Sequence, residues 1–402
     1  MAADTHAHHE TKAEVFNAND TGGWLFILLA GAALGFVVSL IYAIVPHLRS
    51  QFAFSWLFAF MYFFTLCAGS LFWVLVHHAT DAEWSVVVRR VLENLASLLP
   101  VAILFLIPAL FFAPILWKWW AIPAGMDELL DKKRPFLTHG FFLIRYVIYF
   151  IALSIVALQL KRNSIAQDAN GSPSYTVAMR KLSIAGIPIF AVALTFAAVD
   201  YLMGLDYKWF STMWGVYIFA GAAGSSMSLL VLIITALRNK GYLANAVTIE
   251  HYHIMGKFML AFSIFWAYIG FSQYMLIWYA NMPEETEFFI RRNVASWHTL
   301  SLLLVIGRFF IPFPLLLLQW TKKKPQVLCG VAAWIVVMHM LDLYVIIMPM
   351  LDRAGFHPSP LDLCAPLAIG CTLAILFLRL LPKSYLIPIR DPRLPESLRL
   401  TN

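Results

Sequence analysis

Ten runs of about 20 apolar residues divide this chain of 402 residues, and each run is long enough to cross a bilayer as a helix. Hydrophobic residues make up 61% of the chain and charged residues 13%, and no polar stretch is long enough for a second domain. The runs are continuous, whereas the strands of a membrane barrel alternate between apolar and polar residues. The sequence therefore predicts an all-α, polytopic membrane protein.

We number the predicted transmembrane helices spans 1 to 10. Residues 1–22 are predicted to form a polar N-terminal tail, residues 23–381 a single integral membrane domain, and residues 382–402 a C-terminal tail. The first apolar run is too long for the core of a secretory signal, so span 1 is expected to remain in the mature protein. The spans are predicted near residues 23–45, 54–77, 96–116, 139–160, 184–205, 211–237, 256–280, 298–319, 327–348 and 362–381.

The distribution of Lys and Arg between the spans predicts the orientation. If the N-terminus faces the cytoplasm, sixteen of these residues fall on the cytoplasmic side and nine on the opposite side. Short cytoplasmic loops carry an excess of Lys and Arg, so both termini are predicted to be cytoplasmic. The formal net charge of +7 follows from this topology, and nothing else in the sequence supports nucleic-acid binding.

Four charged residues lie well inside the apolar runs, namely Arg145, Asp200, Arg308 and Asp342. A charge at the centre of a bilayer costs roughly 2.5 to 3.5 kcal/mol on insertion scales, so each needs a partner, water or a function. Arg145 and Asp200 have similar depths near the outer ends of spans 4 and 5 and are expected to meet. Arg308 lies near the middle of span 8 and Asp342 in the outer half of span 9, so this second set is also expected to meet.

Histidines accompany both sets of charges. His339 and Asp342 are spaced i, i+3 and therefore share a helix face, and His298 begins span 8 on the same outer side. His139 begins span 4 in a similar way. A helix with an outer histidine and a deeper arginine, followed by a helix with an aspartate, thus recurs four spans later. This pattern predicts two four-helix bundles, spans 2–5 and 6–9, flanked by spans 1 and 10.

Two interpretations of the buried charges remain open. They are either structural ion pairs that fix how neighbouring helices pack, or parts of a proton relay or polar cavity. A histidine titrates near neutrality and a structural ion pair does not need one, so His339 favours the functional interpretation at Asp342. On the cytoplasmic side, Glu250, His253 and Lys257 at the start of span 7 are candidates for proton uptake. The alternative is that these residues only contact water or lipid headgroups.

The sequence predicts no redox cofactor or metal bound by this chain. Cys67, Cys329, Cys364 and Cys371 lie in or beside apolar runs and lack the close spacings of an iron–sulfur or c-type haem site. We interpret them as small buried side chains.

Several segments resemble the NrfD and polysulfide-reductase family of membrane subunits. They are similar in particular to the smaller quinol-oxidoreductase membrane subunit of bacterial alternative complex III, a quinol:cytochrome c or high-potential iron–sulfur protein oxidoreductase. The resemblance covers most of the chain and is strongest between Phe54 and Glu287. It rests on FSWLFAFMYFFTLCAGSLFWVLVHHAT (54–80), WSVVVRR (84–90), FFLIRY (141–146), VDYLMGLDYKWFSTMWGVYIFAGAAG (199–224) and GKFMLAFSIFWAYIGFSQYMLIWYANMPEET (256–286).

The resemblance implies a ten-helix subunit without cofactors in a bacterial cytoplasmic (inner) membrane complex that oxidises quinol, such as menaquinol. Its implied partners are a larger NrfD-like sister subunit, a periplasmic iron–sulfur subunit, multihaem cytochrome c subunits and a terminal cytochrome oxidase. In such complexes the better-supported quinol site belongs to the sister subunit. Within this chain, His139, Arg145 and Asp200 are the candidates for a quinol pocket near the outer face.

Three hypotheses about function follow. The leading one is a subunit of a quinol-oxidising respiratory complex that contributes a transmembrane proton path, with a quinol pocket as an additional role. Its proton-path candidates are Arg308, His339, Asp342, His298, Asp200, Arg145, Lys257, Glu250 and His253. The second is a purely structural anchor for peripheral redox subunits. The third is an independent secondary transporter with charged residues at the bilayer midplane.

Overall fold

The computed structural model describes residues 14–401, and the predicted all-helical architecture is confirmed there. Ten helices are long and apolar enough to cross a membrane, and each corresponds to one predicted span. Their bounds, from span 1 to span 10, are Ala18–Ile44, Pro46–Ala79, Glu83–Leu110, His139–Asn170, Pro173–Leu205, Trp214–Asn239, Ile249–Ala280, Ala295–Leu317, Pro325–Met350 and Leu361–Lys383.

Spans 3 and 8 are interrupted by proline, which cannot donate a backbone hydrogen bond. Span 3 consists of the helices Val86–Ala96, Leu99–Leu104 and Ile107–Leu110, the last two with proline in the first turn. Span 8 begins with the helix Ala295–Val305 and ends with Pro312–Leu317. Shorter helices between the spans or after them are Ala113–Leu116, Glu128–Lys133, Pro283–Arg291, Gln319–Lys323 and Leu394–Leu398.

The two ends of the described chain meet on one side of the helix bundle. Val15 and Tyr385 form an isolated antiparallel bridge, and the backbone N–H of Leu386 donates to the carbonyl of Glu14 at 2.9 Å. We call this face the terminal side and the opposite face the far side. Of the predicted N-terminal tail, residues 1–13 lie outside the described residues, and Phe16 is buried against Tyr242.

Spans 2 and 6 form the centre of the bundle and are its most buried helices. A Cβ atom on Gly69 of span 2 would lie 2.3 Å from the carbonyl oxygen of Ala222 in span 6. Only glycine allows this approach, which resembles the small-residue contacts of other membrane helices. Span 2 also contacts spans 1, 3, 5, 9 and 10, and span 6 contacts spans 5, 7 and 9. Spans 1 and 10 pack against each other at the edge.

Span 3 begins thirteen residues earlier than the apolar pattern predicted, at Glu83 instead of 96. The sequence-based assignment placed Arg89 and Arg90 in a cytoplasmic loop, and this was wrong. Both side chains are 0% exposed and lie within the helix Val86–Ala96. A scan for apolar residues excludes this segment because it contains charged side chains. These charges can be buried because their partners, distant in the sequence, compensate them.

Candidate functional site

Arg145 and Asp200 form a two-point ion pair between spans 4 and 5, as their depths predicted. Arg145 Nε and Nη2 donate to the two carboxylate oxygens of Asp200 at 2.8 and 2.7 Å. Nη1 donates to the carbonyl of Phe136 at 2.8 Å, and Tyr149 donates to Asp200 at 2.8 Å. The guanidinium also stacks on Phe136, 3.8 Å from its ring centroid. The charges thus satisfy each other, which is typical of a structural clasp.

His139 does not join this clasp, contrary to the predicted quinol pocket. Its ring stacks on Trp120 with 4.3 Å between centroids, and its Nε2 lies 2.9 Å from the Trp120 carbonyl. The His139 side chain is exposed, whereas Arg145 and Asp200 are buried. Every nitrogen and oxygen of the Arg145–Asp200 ion pair already has a hydrogen-bond partner within the chain, and His139 is not one of those partners.

Asp342 is the centre of the second buried set. It is 2% exposed and accepts a hydrogen bond from the hydroxyl of Tyr217 in span 6 at 2.6 Å. Its other carboxylate oxygen accepts from the indole N–H of Trp266 in span 7 at 2.9 Å. Both donors are neutral, so hydrogen bonds rather than a contacting cation hold this carboxylate.

His339 lies one helical turn from Asp342 and is also buried, at 2% exposure. Its Nε2 lies 2.9 Å from the hydroxyl oxygen of Thr65 in span 2. Its Nδ1 has no hydrogen-bond partner within residues 14–401 and faces Gly221, where a Cβ atom would lie 3.3 Å from that nitrogen. A buried polar atom without a partner commonly marks an internal water site or a position where a proton is exchanged.

Arg308 reaches the same cluster from span 8. Its Nη1 donates to the carbonyl of Ile335 at 2.7 Å, and its Nη2 donates to the hydroxyl of Ser225 at 3.0 Å and to the carbonyl of Gly221 at 3.3 Å. Arg308 was predicted to contact Asp342, but these two side chains do not form an ion pair within 4.0 Å in the described residues 14–401. Asp342 and Arg308 remain close enough to influence each other electrostatically.

The backbone at Arg308 forms one π-helical turn, Ile306–Phe310, in which the N–H of Ile311 donates to the carbonyl of Ile306 at 3.0 Å. Pro312 explains this turn, since it cannot donate to the carbonyl four residues earlier and its ring would clash with that carbonyl. Such π-bulges occur frequently at functional sites. We define the central cluster as Thr65, Tyr217, Gly221, Ser225, Trp266, Arg308, His339 and Asp342, from five spans.

His298 is separate from the central cluster. Its side chain is exposed at the far-side start of span 8, where its Nδ1 lies 2.5 Å from the side-chain oxygen of Asn293. His298 was predicted as a proton-path candidate on the same outer side as His339 and Asp342, and it lies apart from both. Shared depth brought these residues to the same side of the membrane, but the helix rotation turns His298 outward.

Sequence reasoning missed a second buried charge network on the terminal side. Arg90 donates to Asp168 at 2.7 Å and lies 3.2 Å from Glu93, while Arg89 is ion-paired with Asp391 of the C-terminal segment. Arg393 extends the network, with 3.0 Å to Asp391 and 2.9 Å to Asp81. We call this set, with His77 and His78, the terminal network. Glu93 follows Arg89 and Arg90 at helical i+4 and i+3 spacing, and this spacing was the available signal.

His77 and His78 bring the terminal network towards the bundle interior. Both are 1% exposed, and His78 Nε2 lies 3.9 Å from a Glu93 oxygen. Thr65, Gly69, Trp73 and His77 follow one another at intervals of four residues and so share one face of span 2. Twelve residues of helix separate Thr65 in the central cluster from His77 in the terminal network by about 18 Å.

Asp391 is expected to make stability depend on pH. Burial alone would raise the pKa of its carboxyl, but Arg89 and Arg393 outweigh burial and hold that pKa well below its usual range. Its contribution is therefore complete above the unfolded-state value of about 4 and is lost as the pH falls towards the depressed folded value. Asp391→Asn should lower the free energy of unfolding by about 3 kcal/mol at pH 7. The difference from the unmodified protein should shrink below about pH 4.

The matched control for Asp391 is Asp131→Asn on the far side. Asp131 pairs with Arg134 at 2.6 Å, and both side chains are partly exposed, so we expect a loss below about 1 kcal/mol. Thermal unfolding in detergent from pH 3 to 7 measures both variants. A pH-independent loss for Asp391→Asn would contradict the assigned role of the carboxylate charge.

Glu250, His253 and Lys257 belong neither to the central cluster nor to the terminal network. Glu250 pairs with Lys323 at 2.8 Å, and His253 Nδ1 lies 3.6 Å from the other Glu250 oxygen. Lys257 is exposed. These contacts place the first two residues at the terminal-side junction of span 7 with the loop between spans 8 and 9.

A buried arginine covers the far end of span 9, one turn beyond Asp342. Arg292 donates to the carbonyls of Val345 at 3.0 Å and Ile346 at 2.5 Å, where a helix C-terminus attracts a cation. Burial, together with the neighbouring Arg291, lowers the pKa of Arg292 to about 9.

The far side also carries a cavity of about 370 Å³ between the ends of spans 1, 2, 8 and 9. Its lining includes His47, Gln51, Trp297, Tyr344 and His357. Behind this wall, the carboxylate of Asp362 accepts hydrogen bonds from Gln51 at 2.9 Å and Tyr344 at 2.8 Å. The cavity thus combines imidazole, amide, hydroxyl and aromatic groups, and sequence reasoning did not identify it.

Within residues 14–401, no three His, Cys, Asp or Glu side chains are grouped so as to hold a metal ion. No family model matches this chain, and no curated protein matches it.

Proposed function

We propose that this chain is a membrane subunit of a quinol-oxidising respiratory complex of the alternative complex III type, and that it provides a transmembrane proton path. The central cluster is the observation that carries the proposal. Asp342 and His339 are titratable and buried, and Asp342 is held by two neutral donors. An intramembrane residue of this kind is a functional candidate by default. The segments that resemble the smaller membrane subunit of alternative complex III support the assignment to a respiratory complex.

The proposed path has two halves. Protons would enter from the terminal side, past the terminal network and its histidines, His77 and His78. They would leave towards the far side through Asp342, with Arg308 and Arg292 controlling the local potential. The hydroxyls of Ser225 and Thr65 lie in the central cluster and would orient water beside His339. The remaining distance along span 2 would be crossed by internal water.

The proposed orientation places the terminal side in the cytoplasm of a bacterial inner membrane. Arg89 and Arg90 are buried in ion-paired contacts and no longer count as loop charges, but the remaining Lys and Arg still favour this side. We also infer two four-helix units, spans 2–5 around span 2 and spans 6–9 around span 6. Spans 2 and 6 pack against each other and would join the two units at the centre of the bundle.

If the chain also contacts quinol, the far-side cavity is a better location than Arg145 and Asp200. Its volume suits a ring-sized ligand, and its imidazole and amide groups can bond hydroxyl groups. The outer face is where quinol electrons would leave towards periplasmic iron–sulfur and haem subunits. The Arg145–Asp200 pair is then the structural clasp, as the alternative interpretation of the sequence held.

Purification of the tagged chain from its native membranes tests the assignment. We expect haem c and iron–sulfur proteins to co-purify, together with a larger membrane subunit. In this complex, Gln51→Ala should weaken binding of a quinol analogue about tenfold by removing a polar contact in the cavity. His139→Ala, a change at an exposed residue outside the cavity, should leave that binding unchanged.

Two outcomes would support the other hypotheses. A chain that purifies alone, without redox partners, would favour an independent transporter. A chain that co-purifies with them, but whose charged residues have no effect on proton movement, would be a structural anchor. Analogue binding that depends on His139 and not on Gln51 would overturn the location of the quinol pocket.

A further inference from the structure

A groove of about 380 Å³ lies in the terminal half of the bundle, between the middle of span 3 and the terminal-side parts of spans 4 and 10. Lys161 and Arg162 of span 4 line it with Ser97, which follows the first helix of span 3. Lys161 Nζ donates to the Ser97 hydroxyl at 3.0 Å. Both cations follow directly after the apolar run that was predicted to end at residue 160, the position where Lys and Arg commonly meet the lipid headgroups.

The two cations of the groove have no carboxylate in direct contact. Neither forms an ion pair within 4.0 Å among residues 14–401, and Arg162 makes no hydrogen bond there. The nearby carboxylates, Glu93 and Asp168, are occupied by Arg90. Glu93 is close enough to act favourably on Lys161, whereas Arg90 and Lys383 at the end of span 10 add to the positive potential there. A bound anion would therefore gain from several cations at once.

The remaining lining of the groove is apolar. Leu158 and Ile165 flank the two cations at i−3 and i+3 spacing, so the four residues share one face of span 4. Leu380 of span 10 faces them across the groove. Leu158 and Ile165 are 47% and 37% exposed, respectively. A free phosphate would contact only the polar end, whereas a phospholipid would also cover these side chains with its acyl chains.

We propose that this groove binds an anionic phospholipid, with its phosphate on Lys161, Arg162 and Ser97 and its acyl chains along Leu158, Ile165 and Leu380. Basic pockets between membrane helices on the cytoplasmic side recognise such headgroups. The lipid would also join span 10 to spans 3 and 4. The proposal does not depend on the redox function of the chain.

Native mass spectrometry of the full chain tests the proposal, with titrations of cardiolipin, phosphatidylglycerol and phosphatidylcholine. The variant is the double substitution Lys161→Gln with Arg162→Gln. The control is Lys181→Gln with Arg379→Gln, which removes two exposed terminal-side cations outside the groove. Since each cation near an anionic lipid contributes about 1 kcal/mol, we expect affinity for the two anionic lipids to fall about 25-fold in the variant. The control should lose less than about threefold.

The single variant Arg162→Gln tests the proposal without affecting folding, because this exposed side chain has no hydrogen-bond or ion-pair partner in the described chain. It should lose about fivefold in affinity with unchanged thermal unfolding in phosphatidylcholine. Equal losses in variant and control would overturn the proposal in favour of a diffuse surface potential. Inorganic phosphate that displaces the lipid at equal concentration would also overturn it, as would equal binding of phosphatidylcholine.

Discussion

Asp342→Asn should abolish proton transfer through this chain. The number of protons that this path releases per quinol oxidised should fall at least tenfold. Asparagine has nearly the shape of aspartate but cannot bind and release a proton at physiological pH. Its amide N–H₂ would also face either the Tyr217 hydroxyl or the Trp266 indole N–H, both of which now donate to Asp342. We therefore expect quinol oxidation to continue without the associated proton movement. Proton release in vesicles that contain the assembled complex is the measurement.

Asp200→Asn is the matched control for Asp342. It makes the same chemical change in a buried carboxylate, but one that is bound to Arg145 at two points. Removing one partner of a buried ion pair costs about 3 to 5 kcal/mol, so this variant should lose stability while the surviving complex still moves protons. If both variants assemble and pump normally, the proton-path proposal fails. If both lose proton transfer equally, the clasp belongs to the path.

Gly69→Ala should cost about 3 kcal/mol of stability, at the upper end for added volume in a packed core. The new methyl group would lie 2.3 Å from the Ala222 carbonyl oxygen and 2.7 Å from its carbon, so spans 2 and 6 must move apart. The rigid backbone of span 6 cannot yield as a side chain would. Since these two spans are the most buried, the movement would disturb helices on both sides. Unfolding in a graded mixture of mild and denaturing detergents measures the loss.

Gly330→Ala controls for the general effect of removing a helical glycine. Gly330 lies within the helix Pro325–Ile347, and a Cβ atom there would meet no other atom within 4 Å. Alanine favours the helix over glycine, so we expect no loss and a gain of up to about 1 kcal/mol. Similar destabilisation of both variants would contradict the close approach at Gly69.

The sequence was sufficient to predict the ten helices and the contact between Arg145 and Asp200. Both follow from helix length and depth, which are counted along the chain. Counting residues along the chain does not predict how each helix is rotated about its axis or which helices are neighbours. Arg308 was placed at the correct depth, but its rotation directs it to Ile335 and Ser225 instead of Asp342.

The terminal network shows another limit of sequence reasoning. Charged residues normally mark the end of a membrane span, so Arg89 and Arg90 were assigned to a loop. Their partners lie 302 and 78 residues away, and a local pattern cannot reveal such contacts. The charged first part of span 3 is buried through contacts with Asp168 of span 4 and Asp391 of the C-terminal segment.

The ion pair between Arg89 and Asp391 also affects biosynthesis. Arg89 is synthesised 302 residues before Asp391, a delay of about 15 to 60 s at 5 to 20 residues per second. During translation, span 3 therefore enters the membrane with a guanidinium whose main partner does not yet exist. The buried position of Arg89 can be completed only after the C-terminal segment with Asp391 has been synthesised. Premature termination before Asp391 would leave all ten spans but remove the partner of a buried guanidinium.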